Sequence, residues 1–224
     1  MIAIAIDGPA GAGKSTIARA IAKELGYIYV DTGALYRAIG LFVTSNGVET
    51  TSHEEVGKLL PEIQVGLRFV KGEQRVFLNG YDVSTEIRRP DISMAASNVS
   101  AIPAVREFLF ALQRNITLEN NVVMDGRDIG TVVLPHAQIK VFLTADPEER
   151  ARRRCDELTQ KGHMVEYDAL LEEVKQRDYN DANRPIAPLK QADDAVRVDT
   201  TGNTLEQSVE QLVNLVKEKL GNAV

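Results

Sequence analysis

The sequence has little cysteine, no tryptophan, no long apolar run and no excess of positive charge. Its 224 residues include one cysteine, Cys155, so no disulfide can form within the chain, which favours a reducing, cytoplasmic location. No apolar run approaches the roughly 18 residues of a membrane span. The segment "IAIAI" has no basic region before it and has the pattern of a buried strand, so we expect neither a membrane partner nor a signal peptide.

The charge balance argues against a polyanion as the partner. The formal net charge is −6, and the arginines occur in short clusters within an acidic chain. Nucleic-acid binders usually carry a broad basic surface, whereas short clusters suit local pockets for small anions. We therefore expect small-molecule substrates, no nucleic acid, and a monomer.

The first 45 residues alternate between strand and helix patterns. An apolar run at 2–6 is followed by a helical pattern at 14–25, a second short strand at 27–31 and a second helix at 33–45. This order is typical of an α/β fold, in which a parallel sheet is covered by helices.

A small antiparallel unit interrupts that order. The stretch 64–70 alternates, "KGEQ" turns the chain, 75–78 returns it, and Asn79-Gly80 is a hairpin signal. We predict a small inserted subdomain of antiparallel strands and helix at 60–100, within a core formed by 1–59 and 101–224. The pattern then resumes with helices at 104–118, 147–161, 166–181 and 204–220 and strands at 122–125, 139–144 and 195–199.

The motif "GPAGAGKST" fits G-x-x-x-x-G-K-[ST], the phosphate-binding P-loop, and lies between a predicted strand and a predicted helix. Its glycines allow close approach of the backbone, whose N–H groups point at an anion. Lys14 adds positive charge, and the Ser15 hydroxyl is placed to ligate Mg²⁺. The predicted ATP-binding residues are Gly8, Pro9, Ala10, Gly11, Ala12, Gly13, Lys14, Ser15 and Thr16.

Other motifs narrow the class of P-loop protein. A GTPase switch needs the guanine-recognition motif N-K-x-D, which does not occur, and the D-x-x-G at 199–202 comes too late in the chain. Motor ATPases are usually larger. A compact small-molecule kinase remains, and it needs an acceptor pocket and a mobile cover that excludes water.

Four segments could supply the acceptor pocket and the cover: "DTGALYR" (31–37), "DGRD" (125–128), "RARRR" (150–154) and "RDYNDANR" (177–184). Their arginines offer planar forks suited to phosphate oxygens, although each segment alone could be solvated charge. Asp125 ends an apolar strand, so it either helps to hold Mg²⁺ or only caps the next turn.

The motifs "IDGPAGAGKST", "DTGALYR", "DGRDIGTVV" and "NRPIAPL", in this order, resemble those of bacterial cytidylate kinase. The resemblance covers essentially the whole chain, and the insert is similar to the enlarged nucleotide-monophosphate domain of the long bacterial form. It implies Mg²⁺-dependent transfer of phosphate from ATP to CMP or dCMP, in a P-loop kinase core with a monophosphate domain and a helical lid at about 150–165.

The resemblance also implies roles for individual residues. Arg37, Arg127 and Arg184 would grip the acceptor phosphate, Arg177 and Asp181 would meet the ribose, and Ser97, Arg106 and Asp128 would face cytosine. Thr32 and Tyr36 would complete the acceptor site. The residues closest to the chemistry would be Lys14, Arg127 and the lid residue Arg153, with the other arginines of 150–154 also meeting the ATP phosphates.

Two other functions stay open at this level. Another kinase of this fold would prefer AMP, UMP or shikimate, and a regulatory module would bind ATP without acceptor-dependent ADP release. Asp128 also has a second interpretation, in which it pairs with Arg127 and only orients that arginine. His53, His136 and His163 are scattered in the sequence and suit surface or structural roles.

Overall fold

The computed structural model describes residues 1–70, 73–160, 162 and 164–221. Its centre is a parallel sheet of five strands: β1 (Ala3–Asp7), β2 (Ile28–Asp31), β6 (Val122–Gly126), β7 (Ile139–Thr144) and β8 (Val196–Asp199). The spatial order is β2-β6-β1-β7-β8. The predicted α/β class is confirmed.

Strand β1 lies in the middle of this sheet, hydrogen-bonded to β6 on one side and to β7 on the other. Its side chains from Ile4 to Asp7 are buried, as expected for a strand covered on both faces. The strand order reverses beside β1. Ligands of such sheets bind where this reversal occurs, outside the carboxyl ends of the strands.

Eight helices surround the sheets: α1 (Lys14–Leu25), α2 (Thr32–Ser45), α3 (His53–Leu59), α4 (Pro90–Ser100), α5 (Pro103–Glu119), α6 (Pro147–Gln160), α7 (Tyr167–Asn183) and α8 (Leu205–Gly221), counted over the described residues. On one face of the sheet, Ile17 and Ile21 of α1 and Leu212 and Val216 of α8 form an apolar core with the sheet strands. A capping box precedes α8, because Thr204 N–H donates to the Gln207 side chain at 2.9 Å and Gln207 N–H donates to the Thr204 hydroxyl at 3.2 Å.

A second sheet of three antiparallel strands lies within the predicted insert: β3 (Val65–Val70), β4 (Glu73–Leu78) and β5 (Tyr81–Asp82). It shares an apolar core with helices α2 to α5, to which Leu78, Ile39, Val99 and Leu109 contribute. The insert is therefore packed against its neighbours. Helix within the insert was predicted without bounds, and α4 lies there, whereas α3 was not predicted. The predicted "KGEQ" turn lies partly outside the described residues.

One turn of π-helix, Ile129–Val133, follows β6 and was not predicted either. It begins directly after "DGRD", and π-turns often occur at functional sites. Within the described residues, no helix is both long and apolar enough to span a membrane.

Candidate active site

A cavity of about 800 Å³ opens at the carboxyl edge of the parallel sheet. The P-loop and the first turn of α1 form one wall, and residues of α2, α4, α6, α7 and the β6 loop form the others. The motifs singled out in the sequence therefore face a common space, although the first lies at 8–16 and the last at 177–184.

The P-loop lies at the end of β1, and two of its positions show why glycine is needed there. Gly8 has φ of +148°, and a Cβ there would lie 1.9 Å from the carbonyl oxygen of Leu143 in β7. Gly13, with φ of +89°, forms the left-handed residue before α1. The loop thus delivers the free N–H groups of the α1 amino terminus to the cavity, where an anion would be stabilised.

Lys14 is almost completely buried below this loop, and its Nζ donates to the carbonyl oxygen of Pro9 at 2.6 Å. Burial, reinforced by the Arg127 guanidinium nearby, lowers its pKa well below the usual value. A bound polyphosphate would reverse this effect, because negative charge at the P-loop favours the ammonium form.

The predicted magnesium ligand Ser15 is paired with Asp125. The Ser15 hydroxyl donates to Asp125 Oδ2 at 3.0 Å, and the Tyr29 hydroxyl donates to Oδ1 at 2.9 Å. Burial, together with the nearby charge of Asp31, raises the pKa of Asp125 to about 6. Asp125 therefore lies beside the P-loop serine. Because its side chain accepts from Ser15 and Tyr29, its role is not limited to capping the next turn.

A hydroxyl and one carboxylate are the kind of oxygen donors that Mg²⁺ uses when substrate phosphates complete its shell. No group of three His, Cys, Asp or Glu side chains suited to a metal occurs in the described part of the chain, so an all-protein cage is not formed there. Ser15 and Asp125 fit an ion that arrives with a nucleotide.

A buried carboxylate from β1 holds the π-turn that follows "DGRD". The two oxygens of Asp7 accept from the N–H groups of Ile129 and Gly130, each at 2.7 Å. Burial raises the pKa of Asp7 to about 6, against the effect of these two hydrogen bonds. The same turn directs the N–H groups of Val132 and Val133 to the carbonyl oxygen of Asp128, which fixes the backbone of that residue.

The Asp128 side chain lies between two buried arginines. Arg106 of α5 donates to Oδ2, and Arg184, just after α7, donates to Oδ1 at 2.9 Å. The alternative in which Asp128 pairs with Arg127 is wrong. Arg184 also donates to the Ser100 hydroxyl at 3.0 Å, so its orientation is fixed from both sides.

Arg127 pairs with Asp181 of α7 through a 2.8 Å contact from Nε to Oδ2. The other oxygen of Asp181 accepts from the Ser97 hydroxyl at 3.0 Å. Burial opposes it, but the charges of Arg127 and Arg177 hold the pKa of Asp181 below its usual value. Three predicted acceptor residues thus form one network.

Only some of the hydrogen-bond donors of Arg177 have partners among the described residues. One of its terminal nitrogens donates to the Ser93 hydroxyl at 2.5 Å, while its buried Nε has no hydrogen-bond partner in the described structure. Burial and the charge of Arg127 lower its pKa to about 9. A negatively charged ligand in the cavity would relieve both costs.

Arg37 of α2 projects into the cavity and makes no hydrogen bond or ion pair with the described residues, whereas Arg88 pairs with Asp31 at 2.7 Å. Arg88, on a short 3₁₀ helix after β5, was missed in the sequence. The basic pair Arg88-Arg89 could have drawn attention to it in the sequence. No local sequence pattern, however, indicated that this part of the insert would pack against the end of β2.

The arginines of 150–154 differ in what they contact. Arg153 donates to the carbonyl oxygens of Thr200 and Asn203 at 2.8 and 3.4 Å, and Arg154 pairs with Glu157 at 3.0 Å; both line the cavity. Arg152 pairs with Glu149 on the exposed side of α6. Arg150 is buried among protein acceptors.

Most predicted site residues line the cavity. The exceptions are Gly8 and Pro9, at the base of the P-loop, and Arg106, which reaches the site through Asp128. Thr32 donates to the Asp125 carbonyl oxygen at 2.7 Å, and the ring of Tyr36 lies 5.8 Å from the Arg106 guanidinium. His53 and His136 are exposed, and His163 lies outside the described residues.

A P-loop at the reversal point of a parallel sheet, facing arginines that converge across one cavity, defines a P-loop phosphotransferase. The sequence matches the family Cytidylate kinase over residues 4–218. It is 50% identical to a cytidylate kinase of Caldicellulosiruptor saccharolyticus over 223 residues, which cover 100% of this chain and 99% of that protein. It is 52% identical to a cytidylate kinase of Caldanaerobacter subterraneus subsp. tengcongensis over 217 residues, 97% of this chain and 95% of that protein.

The chain belongs to the cytidylate kinase family, which confirms the resemblance found in its motifs. A solved structure of an uncharacterised protein from Eubacterium ventriosum is similar in fold, with a TM-score of 0.53, 13% identity and coverage of 97% of this chain and 98% of that one.

Proposed function

We propose that this kinase transfers the γ-phosphate of ATP to CMP or dCMP and releases ADP with CDP or dCDP. The observation that carries the proposal is the position of Asp128, a buried carboxylate held by two arginines in the cavity that the P-loop also lines. Cytosine presents an amino donor at N4, and a carboxylate accepts from it. A carboxylate repels the carbonyl oxygen that uracil has at the same position.

The donor side uses the P-loop amides and Lys14. The β- and γ-phosphates of ATP lie against the amino terminus of α1, where N–H groups and the helix dipole favour negative charge. Lys14 adds its charge as negative charge shifts during the transfer. When Mg²⁺ is bound, Ser15 and Asp125 hold it, and the ion neutralises charge on the phosphate oxygens.

On the acceptor side, Arg37, Arg127 and Arg184 bind the CMP phosphate. Arg37 makes no hydrogen bond or ion pair with the described residues, and it lines the same cavity as Arg127. Arg177 and Asp181 meet the ribose, while Ser97, Arg106 and Asp128 face the base. Asp128 and Asp181 are the counter-charges of Arg184 and Arg127 in the structure, so binding of CMP exchanges part of these pairs for contacts to the nucleotide.

The chemical step needs positioning and charge neutralisation. An oxygen of the CMP phosphate attacks the γ-phosphorus, the bond to the β,γ-bridging oxygen breaks, and ADP leaves with the negative charge. Because the attacking oxygen is already anionic, the step requires no general base. Lys14 and Arg127 surround the transferred group, and Arg153 belongs to the segment that closes over ATP.

We further propose that residues 60–100 form a monophosphate-binding subdomain and that a lid at about 150–165 closes when both substrates are bound. The motivating observation is that α6 and α7 line the cavity together and are joined by a short connection. Amide hydrogen exchange in α6 should slow in the presence of CMP and a non-hydrolysable ATP analogue together, and much less with either alone. Equal exchange in all four states would contradict a lid at this position.

The proposed function is tested by ADP release measured with CMP, dCMP, UMP, AMP, GMP and shikimate as acceptors. We expect CMP and dCMP to give kcat/KM values at least about tenfold above the others, the discrimination that one hydrogen-bonding group provides. Preference for AMP, UMP or shikimate would assign a different kinase of this fold. ATP binding with no acceptor-dependent ADP release would indicate a regulatory module.

A further inference from the structure

Arg150 is the one buried arginine of 150–154, and each nitrogen of its guanidinium donates to the protein. Its Nε donates to the Ala145 carbonyl oxygen at 2.8 Å. One terminal nitrogen donates to the Ala10 carbonyl oxygen at 2.9 Å and to Asp178 Oδ1 at 3.0 Å, and the other donates to Asp178 Oδ2. The residue is 2% exposed.

These partners come from three separate parts of the site. Ala10 belongs to the P-loop, Ala145 follows β7, and Asp178 lies in α7. Next to Ala10, a Cβ at Gly11 would lie 3.3 Å from the Cβ of Arg150, so the donor loop rests directly on this side chain.

Helix α7 carries the acceptor residues, and Asp178 is in the same helix turn as two of them. Arg177 precedes it, and Asp181 lies three residues further along, which places Asp178 and Asp181 as neighbours on the helix surface. A displacement of the P-loop that moved Arg150 would therefore act on the helix that binds the acceptor.

We infer that Arg150 is a positioning residue that joins the P-loop to α7 and thereby couples ATP binding to CMP binding. Its donors have protein acceptors in the structure, and its pair with Asp178 is bidentate, with Arg150 buried and Asp178 part-buried. Because Arg150 also lines the cavity, the measurement below separates positioning from direct contact with phosphate. The inference rests on the proposed function, since it assigns the two nucleotides to the two sides that Arg150 connects.

The decisive substitution is Arg150→Lys. Lysine keeps the charge, but its single nitrogen cannot reach Ala10, Ala145 and both oxygens of Asp178 from one position. If Arg150 only supplied charge, lysine would preserve function. If it joins the two sides, the charge remains and the connection is lost.

The measurement is the dissociation constant of CMP with and without a saturating non-hydrolysable ATP analogue. In the wild type we expect the analogue to tighten CMP binding by about fivefold or more, the lower end of typical coupling between sites. In Arg150→Lys the enhancement should fall below about twofold, and the KM values for ATP and CMP should both rise. Asp178→Asn should reduce the coupling in the same direction, because it weakens the same bidentate pair.

Lys140→Met is the control for a general loss of stability caused by disrupting a buried, hydrogen-bonded cation. Lys140 is 8% exposed and donates to the Pro135 carbonyl oxygen at 2.6 Å and to Asp194 at 2.9 Å, outside the cavity lining. We expect this variant to lose stability in urea denaturation and to keep the coupling of the wild type.

Three results would overturn the inference: no coupling in the wild type, full coupling in Arg150→Lys, or an equal loss of coupling in Lys140→Met. A rise in the KM for ATP alone would instead make Arg150 a phosphate ligand. Failure of the proposed function is recognised separately, because the wild-type enzyme would then show no preference for CMP in ADP release.

Discussion

Replacing Lys14 with alanine should lower the rate of phosphoryl transfer by about 100-fold or more while the protein stays folded. The Lys14 Nζ is held at the base of the P-loop by the Pro9 carbonyl oxygen at 2.6 Å, so its charge is already oriented before ATP binds. Such a preorganised charge contributes mostly to the transition state, in a site from which water is excluded. The expected loss is therefore in kcat more than in the KM for CMP.

The measurement combines steady-state ADP release with urea denaturation. Lys23→Ala is the control, because Lys23 is an exposed lysine in the last turn of the same helix and faces away from the cavity. It should match the wild type in both assays. A folded Lys14→Ala protein with near-normal turnover would contradict the assignment of the donor site.

Replacing Asp128 with asparagine should lower the ratio of kcat/KM for CMP to that for UMP by roughly tenfold or more. In the wild type each carboxylate oxygen accepts from one arginine and keeps a further lone pair for the cytosine amino group. Asparagine offers one oxygen and an NH₂ group, which can donate to uracil O4. It also leaves one arginine facing a donor, so total activity should fall as well.

The ratio separates the two roles of Asp128. If the side chain only orients Arg106 and Arg184, the variant should lose activity toward CMP and UMP equally. Asp194→Asn is a suitable control, because it removes the same charge from an ion pair whose residues do not line the cavity. An unchanged ratio in Asp128→Asn would refute recognition of the base by this residue.

Local patterns predicted much of the fold because they act over a few residues. Helix α1 has the predicted bounds, since left-handed glycines at 13 and 26 mark both ends. The bounds of helix α4 were not predicted because it packs largely through small residues: a Cβ on Gly40 of α2 would lie 3.1 Å from the Ala96 backbone nitrogen. Two helices that approach so closely bury alanine and serine, so only Ile92 and Val99 add large apolar side chains to the buried face, and its signal in the sequence is weak.

The ion pairs of the candidate site could not be predicted from local sequence patterns either. The sequence showed that Arg127 stands between two acidic residues, and its nearest neighbours seemed the natural partners. Its actual partner is Asp181, 54 residues away, and Asp128 is bound by arginines 22 and 56 residues away. Such pairings depend on how α5 and α7 pack beside β6, which no local pattern records.

The order of strands in the central sheet also determines when the P-loop can reach its folded position during synthesis. The only sheet partners of β1 in the described structure are β6 and β7, and β2 pairs with β6 alone. A nascent chain therefore carries two apolar strands without a partner until Val122 has been added, and only the antiparallel sheet at 65–82 can pair before then. The P-loop at 8–16 therefore gains its supporting strands only when 122–126 and 139–144 have also been synthesised.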